Sequence, residues 1–269
     1  MGLIQHKREA YWFYRFLSLG YDRWVNPLFW TAPMRDRALD VARLDDPGLE
    51  TLDAGAGTGF TTEGIVRRVA AEKVTMLDQS PHQLAKARAK PALAACRKLL
   101  GDAERLPFPD ASFDRYVSAG SIEYWPDPQR GVAEAHRVLK PGGVGVVIGP
   151  VKPANPILRR LSETWMLFPS EDEYRAWFAA AGFEDVRVEV LAPDWYRGRS
   201  PYGVAIAGTR GGAPHSAPAP AVAEDRAAPM TLADRARFAG RFVIGSAAGF
   251  VFVPIGAVLA LRARLARRR

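Results

Sequence analysis

The stretch Thr51-Leu-Asp-Ala-Gly-Ala-Gly-Thr-Gly59 decides the fold. An apolar lead-in ends on Asp53 and runs into glycines at alternate positions, Gly55, Gly57 and Gly59. It reads as a strand that stops in a ligand-binding turn. Glycine there permits positive φ and removes side chains where a ligand comes close, and a helix expected from the turn through about Val69 would aim its first N–H groups at that ligand. The dinucleotide spacing G-x-G-x-x-G fails, because the residue three beyond Gly57 is Phe60.

Working outward, Lys73-Val-Thr-Met-Leu-Asp78 predicts a second strand that ends on an acid 25 residues after Asp53. A carboxylate at that place can accept both ribose hydroxyls of an adenosine. Ser80-Pro81 beside it carries the cap and first-position signals of a helix over about 81–90. A short strand near Cys96–Leu100 leads to Asp102, at the rim where an adenine would sit. Further strands are expected at Arg115–Gly120, Val144–Gly149, Phe183–Leu191 and Val204–Gly208. Helices are expected from Pro128 to Leu139, Leu158–Phe168 and Glu171–Ala181, with Lys140-Pro-Gly-Gly143 turning the chain into the fifth strand. Strands alternating with helices imply a parallel sheet covered on both faces, with ligands beyond the carboxyl ends of the strands. Asp53, Asp78, Asp102 and Ser118 through Tyr124 all fall there.

Charge and apolar patterning set the outer parts. The formal charge is +8, but residues 231–269 hold eight Arg and one Asp, so residues 1–230 carry only +1. A nucleic-acid footprint is not expected on so neutral a body. Cys96 is the single cysteine, which excludes an intrachain disulfide and a cysteine-based zinc site. Phe242 to Leu261 is a run of twenty residues without a charge, bounded by arginines on both sides. As a helix it would span about 30 Å, so it predicts a single membrane-spanning anchor. Residues 1–10 are polar and charged, and no secretory leader is expected. Tyr11, Trp12, Phe13, Tyr14, Phe16, Tyr21, Trp24, Phe29 and Trp30 crowd the N-terminal part, which reads as amphipathic helix laid over the domain, either as packing or as a lid over an apolar substrate. The expected organisation is a helical cap over 1–40, a catalytic domain over 41–210, a Pro/Ala-rich linker over 211–238, and an anchor with an Arg-rich tail over 239–269.

Several blocks together identify a family. Thr51–Gly59, with its acid two residues before the first glycine, Leu77-Asp78, Gly101-Asp102-Ala103, Leu106-Pro-Phe-Pro and Arg137-Val-Leu-Lys-Pro-Gly-Gly143 resemble the Rossmann-like class I S-adenosylmethionine-dependent methyltransferases of quinone biosynthesis. Ile4-Gln-His-Lys7, Phe13-Tyr-Arg-Phe-Leu17, Gly59-Phe-Thr-Thr62, Leu77 through Lys86, Tyr116 through Arg130 and Trp195-Tyr-Arg-Gly198 are similar to the plastid branch of that family, which methylates 2-methyl-6-phytyl- and 2-methyl-6-solanesyl-1,4-benzoquinols in tocopherol and plastoquinone synthesis. The resemblance covers about residues 4–208. It implies a mostly parallel seven-stranded α/β sheet, S-adenosylmethionine as cofactor, a prenylated benzoquinol as substrate, and a C-terminal anchor in the chloroplast inner envelope membrane. It places Asp53 and the Gly55–Gly59 turn at the methionine part of the cofactor, Asp78 with Gln79 at the ribose, and Asp102 with Ala103 at the adenine, with Ser118 in the same site.

A sulfonium methyl is already electrophilic, so transfer calls for a nucleophile in line at close range, with neither a metal nor a covalent enzyme intermediate. A base beside the quinol hydroxyl is the remaining requirement. Glu123, following the fourth strand, is the first candidate, Tyr124 a group that orients the hydroxyl, and His6 a second base; His82 and His136 read as structural. A sterol or other lipid methyltransferase shares the cofactor features, and a membrane-tethered scaffold that binds the cofactor without catalysis is the non-enzymatic alternative.

Overall fold

The computed structural model describes residues 29–156, 159–160, 167–198 and 200–212, with scattered positions between 231 and 265. His6, the cap before Phe29, the linker from 213 and most of Phe242–Leu261 lie outside the described residues. Among the described residues no helix is long and apolar enough to cross a membrane.

The elements in chain order are α1 (Ala32–Asp40), β1 (Thr51–Ala54), α2 (Phe60–Ile65), β2 (Val74–Asp78), α3 (Pro81–Arg88), β3 (Arg97–Leu100), β4 (Phe113–Ala119), α4 (Pro128–Val138), β5 (Leu139–Pro150), α5 (Glu171–Ala181), β6 (Phe183–Leu191) and β7 (Gly203–Arg210). The strands form one seven-stranded sheet in the order β3-β2-β1-β4-β5-β7-β6. β1 to β5 pair in parallel, and β7 lies antiparallel to both β5 and β6. The winding reverses between β1 and β4, and the crevice beyond their carboxyl ends is where an open α/β sheet binds ligands.

Local chemistry places the helix boundaries. Asp127 caps α4 by accepting the Arg130 N–H, with Pro128 at the first helical position. Ser170 and Glu173 form a reciprocal capping box at the start of α5, which stops at Gly182 with φ +88°. Leu52, Leu77 and Tyr116 face α4 and α5, while Met76, Val117 and Val146 face α1 and α2, so both sheet faces are apolar. Tyr174 and Phe178 seat α5 against the sheet at near-zero exposure, each contributing about 1.5–3 kcal/mol by burial.

Three expectations need correction. Lys140-Pro-Gly-Gly143 is part of β5 itself: Phe113 pairs with Leu139, the register slips, and pairing resumes at Arg115 with Val144. The segment is absorbed as an irregularity, with Gly142 at φ +77°. The helix after the glycine turn stops at Ile65 instead of continuing to Val69. The helix expected over Leu158–Phe168 lies mostly outside the described residues; Arg159 and Arg160 are helical, but its end is corrected, since Leu167 and Phe168 are not. The Leu167 N–H donates instead to the Glu123 carbonyl at 3.0 Å.

The glycine turn is required mainly by packing. Gly55, Gly57 and Gly59 all have positive φ (73°, 56° and 86°). A Cβ on Gly55 would meet Ser121 Oγ at 2.1 Å, and one on Gly59 would meet Leu93 Cδ1 at 2.3 Å, whereas one on Gly57 would meet nothing within 4 Å. Gly57→Ala therefore carries only the left-handed backbone cost of about 1–2 kcal/mol. Gly59→Ala adds overpacking and is expected to lose about 2–5 kcal/mol. Urea unfolding of the two variants, side by side, checks this order.

Candidate functional site

The turn after β1 is tied to β2 by hydrogen bonds. The Gly55 and Ala56 N–H groups both donate to the Leu77 carbonyl, at 2.8 and 3.0 Å, and the Gly57 N–H donates to Asp78 Oδ2 at 2.8 Å. Asp78 Oδ1 accepts the Ser80 N–H at 2.8 Å. These turn N–H groups are thus spent inside the protein, and the ligand-facing chemistry passes to side chains and carbonyls. Burial raises the Asp78 carboxyl to about 6, with the Ser80 and Gly57 hydrogen bonds pulling the other way.

Two clefts meet at Gly55 and Asp78. One is walled by Gln79, Asp102, Ala103, Glu104, Tyr124 and Trp125. The other lies over the turn and is walled by Trp30, Arg35, Gly57, Phe60, Thr61 and Gly120. Of the residues expected in the site, Gly55, Gly57, Asp78, Gln79, Asp102, Ala103 and Tyr124 line a cleft. Asp102 Oδ1 accepts the Glu104 N–H at 3.0 Å, which fixes the loop after β3. Gly59 stands behind the turn, against Leu93 and Met76.

Asp53 is fully buried beneath the turn. Thr62 Oγ1 donates to its Oδ2 at 2.6 Å, and Oδ1 has no partner. Burial above all, and then the nearby Asp78, raise its carboxyl to about 7 against the opposing Thr62 bond. Ser118 lines neither cleft: it is fully buried in β4 and its Oγ has no partner. Strand alternation sets it on the Tyr116 face, and Ala119, Gly120 and Ser121 carry the chain into the crevice instead.

Glu123 sits in a short 3-10 turn, Ile122–Tyr124. Its side chain is 4% exposed, Oε2 has no partner, and burial lifts the carboxyl to about 8. It lines neither cleft, while its neighbours Tyr124 and Trp125 do. His136 is buried in α4, edge-on to Phe183 at 5.0 Å between ring centres. His82 is exposed on α3.

Sequence reading did not single out Trp125 or Arg35 for the clefts, and took Trp30 only as one of the N-terminal aromatics. Trp125 Nε1 donates to Ser121 Oγ at 2.9 Å, and Gly131 leaves room for the indole, since a Cβ there would meet it at 2.4 Å. Trp30 and Arg35 come from the cap side, brought in by the crossing of α1 over α2. Gly64 was the available signal for that crossing: a Cβ there would meet Arg35 Nε at 2.7 Å and Leu39 Cδ1 at 2.6 Å. The raised Asp53 carboxyl has a measurable consequence. The folded apo protein holds more protons than the unfolded chain between about pH 4 and 7, so stability falls as pH rises through that window. Asp53→Asn keeps the Thr62 bond and removes the charge, so its apo melting temperature is expected to exceed that of the parent at pH 8.5 by more than at pH 5, as thermal unfolding at the two values would show.

Residues 52–147 match the model of a methyltransferase domain. Among curated proteins, the chloroplastic 2-methyl-6-phytyl-1,4-hydroquinone methyltransferase of Arabidopsis thaliana is 53% identical over 259 residues, covering 94% of this chain and 76% of that protein. A rice relative of the same name (Oryza sativa subsp. japonica) is 59% identical over 201 residues, covering 75% of this chain and 61% of its own length. Among solved structures, geranyl diphosphate C-methyltransferase from Streptomyces coelicolor, in complex with S-adenosyl-L-homocysteine, superposes with a TM-score of 0.57 at 20% identity, over 66% of this chain and 79% of that one, which shows the shared fold. A class I methyltransferase strand order, the glycine turn on Asp78, and identity above one half along nearly the whole chain lead to one conclusion: this chain belongs to the 2-methyl-6-phytyl-1,4-hydroquinone methyltransferase family.

Proposed function

We propose that the chain methylates a ring carbon of 2-methyl-6-phytyl- and 2-methyl-6-solanesyl-1,4-benzoquinols in a plastid, with S-adenosylmethionine as methyl donor. The observation that carries this reading is the 53% identity to the Arabidopsis enzyme along 94% of the chain. The residues present fit the cofactor. Gly57 opens onto empty space, Asp53 Oδ1 is a buried acceptor without a donor, and Asp78 and Asp102 line the adjoining cleft. In this reading Asp78 and Gln79 hold the ribose, Asp102 and Ala103 the adenine, and Asp53 with the turn the methionine part.

When bound, the cofactor supplies an electrophilic methyl: the new C–C bond uses the electron pair of the quinol ring, the C–S pair stays on sulfur, and the ring hydrogen leaves as a proton. The protein holds the ring carbon in line and excludes water, which contributes through proximity and orientation. Trp30 and Phe60 give the second cleft apolar walls suited to an aromatic ring. Glu123 is the candidate base, Tyr124 the group that orients the hydroxyl, and His6 the second base candidate. Because burial raises the Glu123 carboxyl to about 8, it accepts a proton from a phenol only as pH climbs through that value. The rate limb rising through pH 8 is expected in the parent and lost in Glu123→Gln, measured as labelled methyl transfer to a 2-methyl-6-prenyl hydroquinone. An unchanged profile removes Glu123 as base, and activity on sterols alone removes the substrate.

The anchor belongs to the same proposal. A prenyl tail partitions into the bilayer at about 0.8 kcal/mol per CH₂, so a tethered domain meets its substrate where the head group emerges. Twenty uncharged residues from Phe242 to Leu261, flanked by arginine, support an envelope-membrane helix. Chain truncated after residue 238 is expected to stay with the soluble fraction in liposome flotation while the full chain floats. Equal behaviour of the two rules the anchor out.

A further inference from the structure

The cleft over the glycine turn contains one feature that the quinol ring does not require: a buried cation. Arg35 is 5% exposed and, among the described residues, is the only Lys or Arg lining either cleft. Its position is fixed on every side. Nε and Nη2 donate to Asp36 Oδ1 at 2.8 and 2.7 Å, and Nη1 donates to the Phe60 carbonyl at 3.1 Å. Its guanidinium carbon lies 4.8 Å from the Phe60 ring centre, and its stem passes Gly64, where any side chain would collide with it.

The charge balance around this guanidinium is incomplete. Asp36, its single carboxylate partner among the described residues, is 40% exposed and also faces Arg67 at 3.7 Å. Asp78, the acid lining the same cleft, is engaged by the Gly57 and Ser80 N–H groups. Nη1 and Nη2 each use one of their two N–H donors on the protein, which leaves donors at the cleft wall. A buried arginine held rigid by a carbonyl, a ring and a shared carboxylate is prepared for an anion, and a planar carboxylate matches its fork. The same cleft is lined by the turn residues Gly57 and Thr58.

We propose that Arg35 binds the α-carboxylate of the methionine part of S-adenosylmethionine, so that α1 closes the cofactor site from the cap side. The assignment rests on the cofactor reading given above, and it divides the amino-acid end of the cofactor by charge: carboxylate toward Arg35, ammonium toward the acidic side of the turn. It makes the Phe60 carbonyl and Asp36 positioning groups for Arg35, without contact of their own to the ligand.

The test is calorimetric titration of the full chain with S-adenosylhomocysteine and with its decarboxylated analogue, without any quinol present. The parent is expected to favour S-adenosylhomocysteine by at least about tenfold, the scale of a charge-assisted hydrogen bond. Arg35→Met should lose that preference by weakening S-adenosylhomocysteine while leaving the decarboxylated analogue nearly unchanged. Arg35→Lys, which keeps the charge and guards against a folding defect in the methionine variant, should recover part of the preference. Equal weakening of both ligands, or an unchanged ratio in both variants, overturns the assignment, as does a variant that binds S-adenosylhomocysteine normally and raises only the KM for the quinol. No binding of S-adenosylhomocysteine by the folded parent overturns the cofactor reading itself, a result distinct from either.

Discussion

The Gly57 N–H donating to the Asp78 carboxylate is the contact on which the rest of the site depends. It joins the turn after β1 to the last residue of β2, and the paired bonds from Gly55 and Ala56 to the Leu77 carbonyl close the same seam. With the seam closed, Gly55 lies so near Ser121 that no Cβ fits, and the loop after β4 is set against the turn. Ser121 then accepts the Trp125 indole N–H, and Trp125 walls the cleft beside Asp102. One carboxylate therefore transmits its position through two strand ends and two loops. The two clefts meet at Asp78 because it is the pivot of this chain of contacts.

That arrangement has an electrostatic cost. Asp53 and Asp78 are both buried at neighbouring strand ends; burial raises both carboxyls, and the Asp78 charge raises Asp53 further. Two backbone donors keep Asp78 near 6, while Asp53, with only Thr62, rises to about 7. An apo protein optimised for stability alone would replace Asp53 with a neutral group. A ligand bearing positive charge beside it would favour the ionised carboxylate and so offset that cost.

The fold was legible because its signals are local. The apolar runs ending on Asp53 and Asp78 and the Ser80-Pro81 and Asp127-Pro128 helix starts each act within a few residues, and the strands and helices they predict are present to within one or two positions. The site was legible where it hangs on strand ends, as for Asp78, Gln79 and Asp102. It was obscure where position depends on parity or on crossing. Ser118 differs from Ala119 by one step of the pleat, which moves it from the crevice to the interior. Arg35 reaches the cleft because two helices approach closely at Gly64, a contact between residues 29 positions apart that no periodicity announces. Lys140–Gly143 carried a turn signature and became part of a strand, because pairing of Leu139 with Phe113 recruits the segment into the sheet.

The division of the crevice also separates general chemistry from selection. The match to the methyltransferase domain begins at Leu52, after α1. Everything that forms the first cleft lies within that span, whereas Trp30 and Arg35 of the second cleft lie before it. Trp30 touches Gly203 at the start of β7, with its indole 3.3 Å from the position of a Cβ there, and Phe29 meets Trp195 edge-on at 5.9 Å while its carbonyl accepts the Tyr202 hydroxyl. Phe29 and Trp30 are thereby fixed to the antiparallel end of the sheet, the part added after the five parallel strands. Of these residues Trp30 lines the second cleft, and the segment from Trp195 to Gly203 braces it from behind. Selection of the acceptor can therefore change through α1 and the loop before β7 while the seam at Gly57 and Asp78 stays as it is.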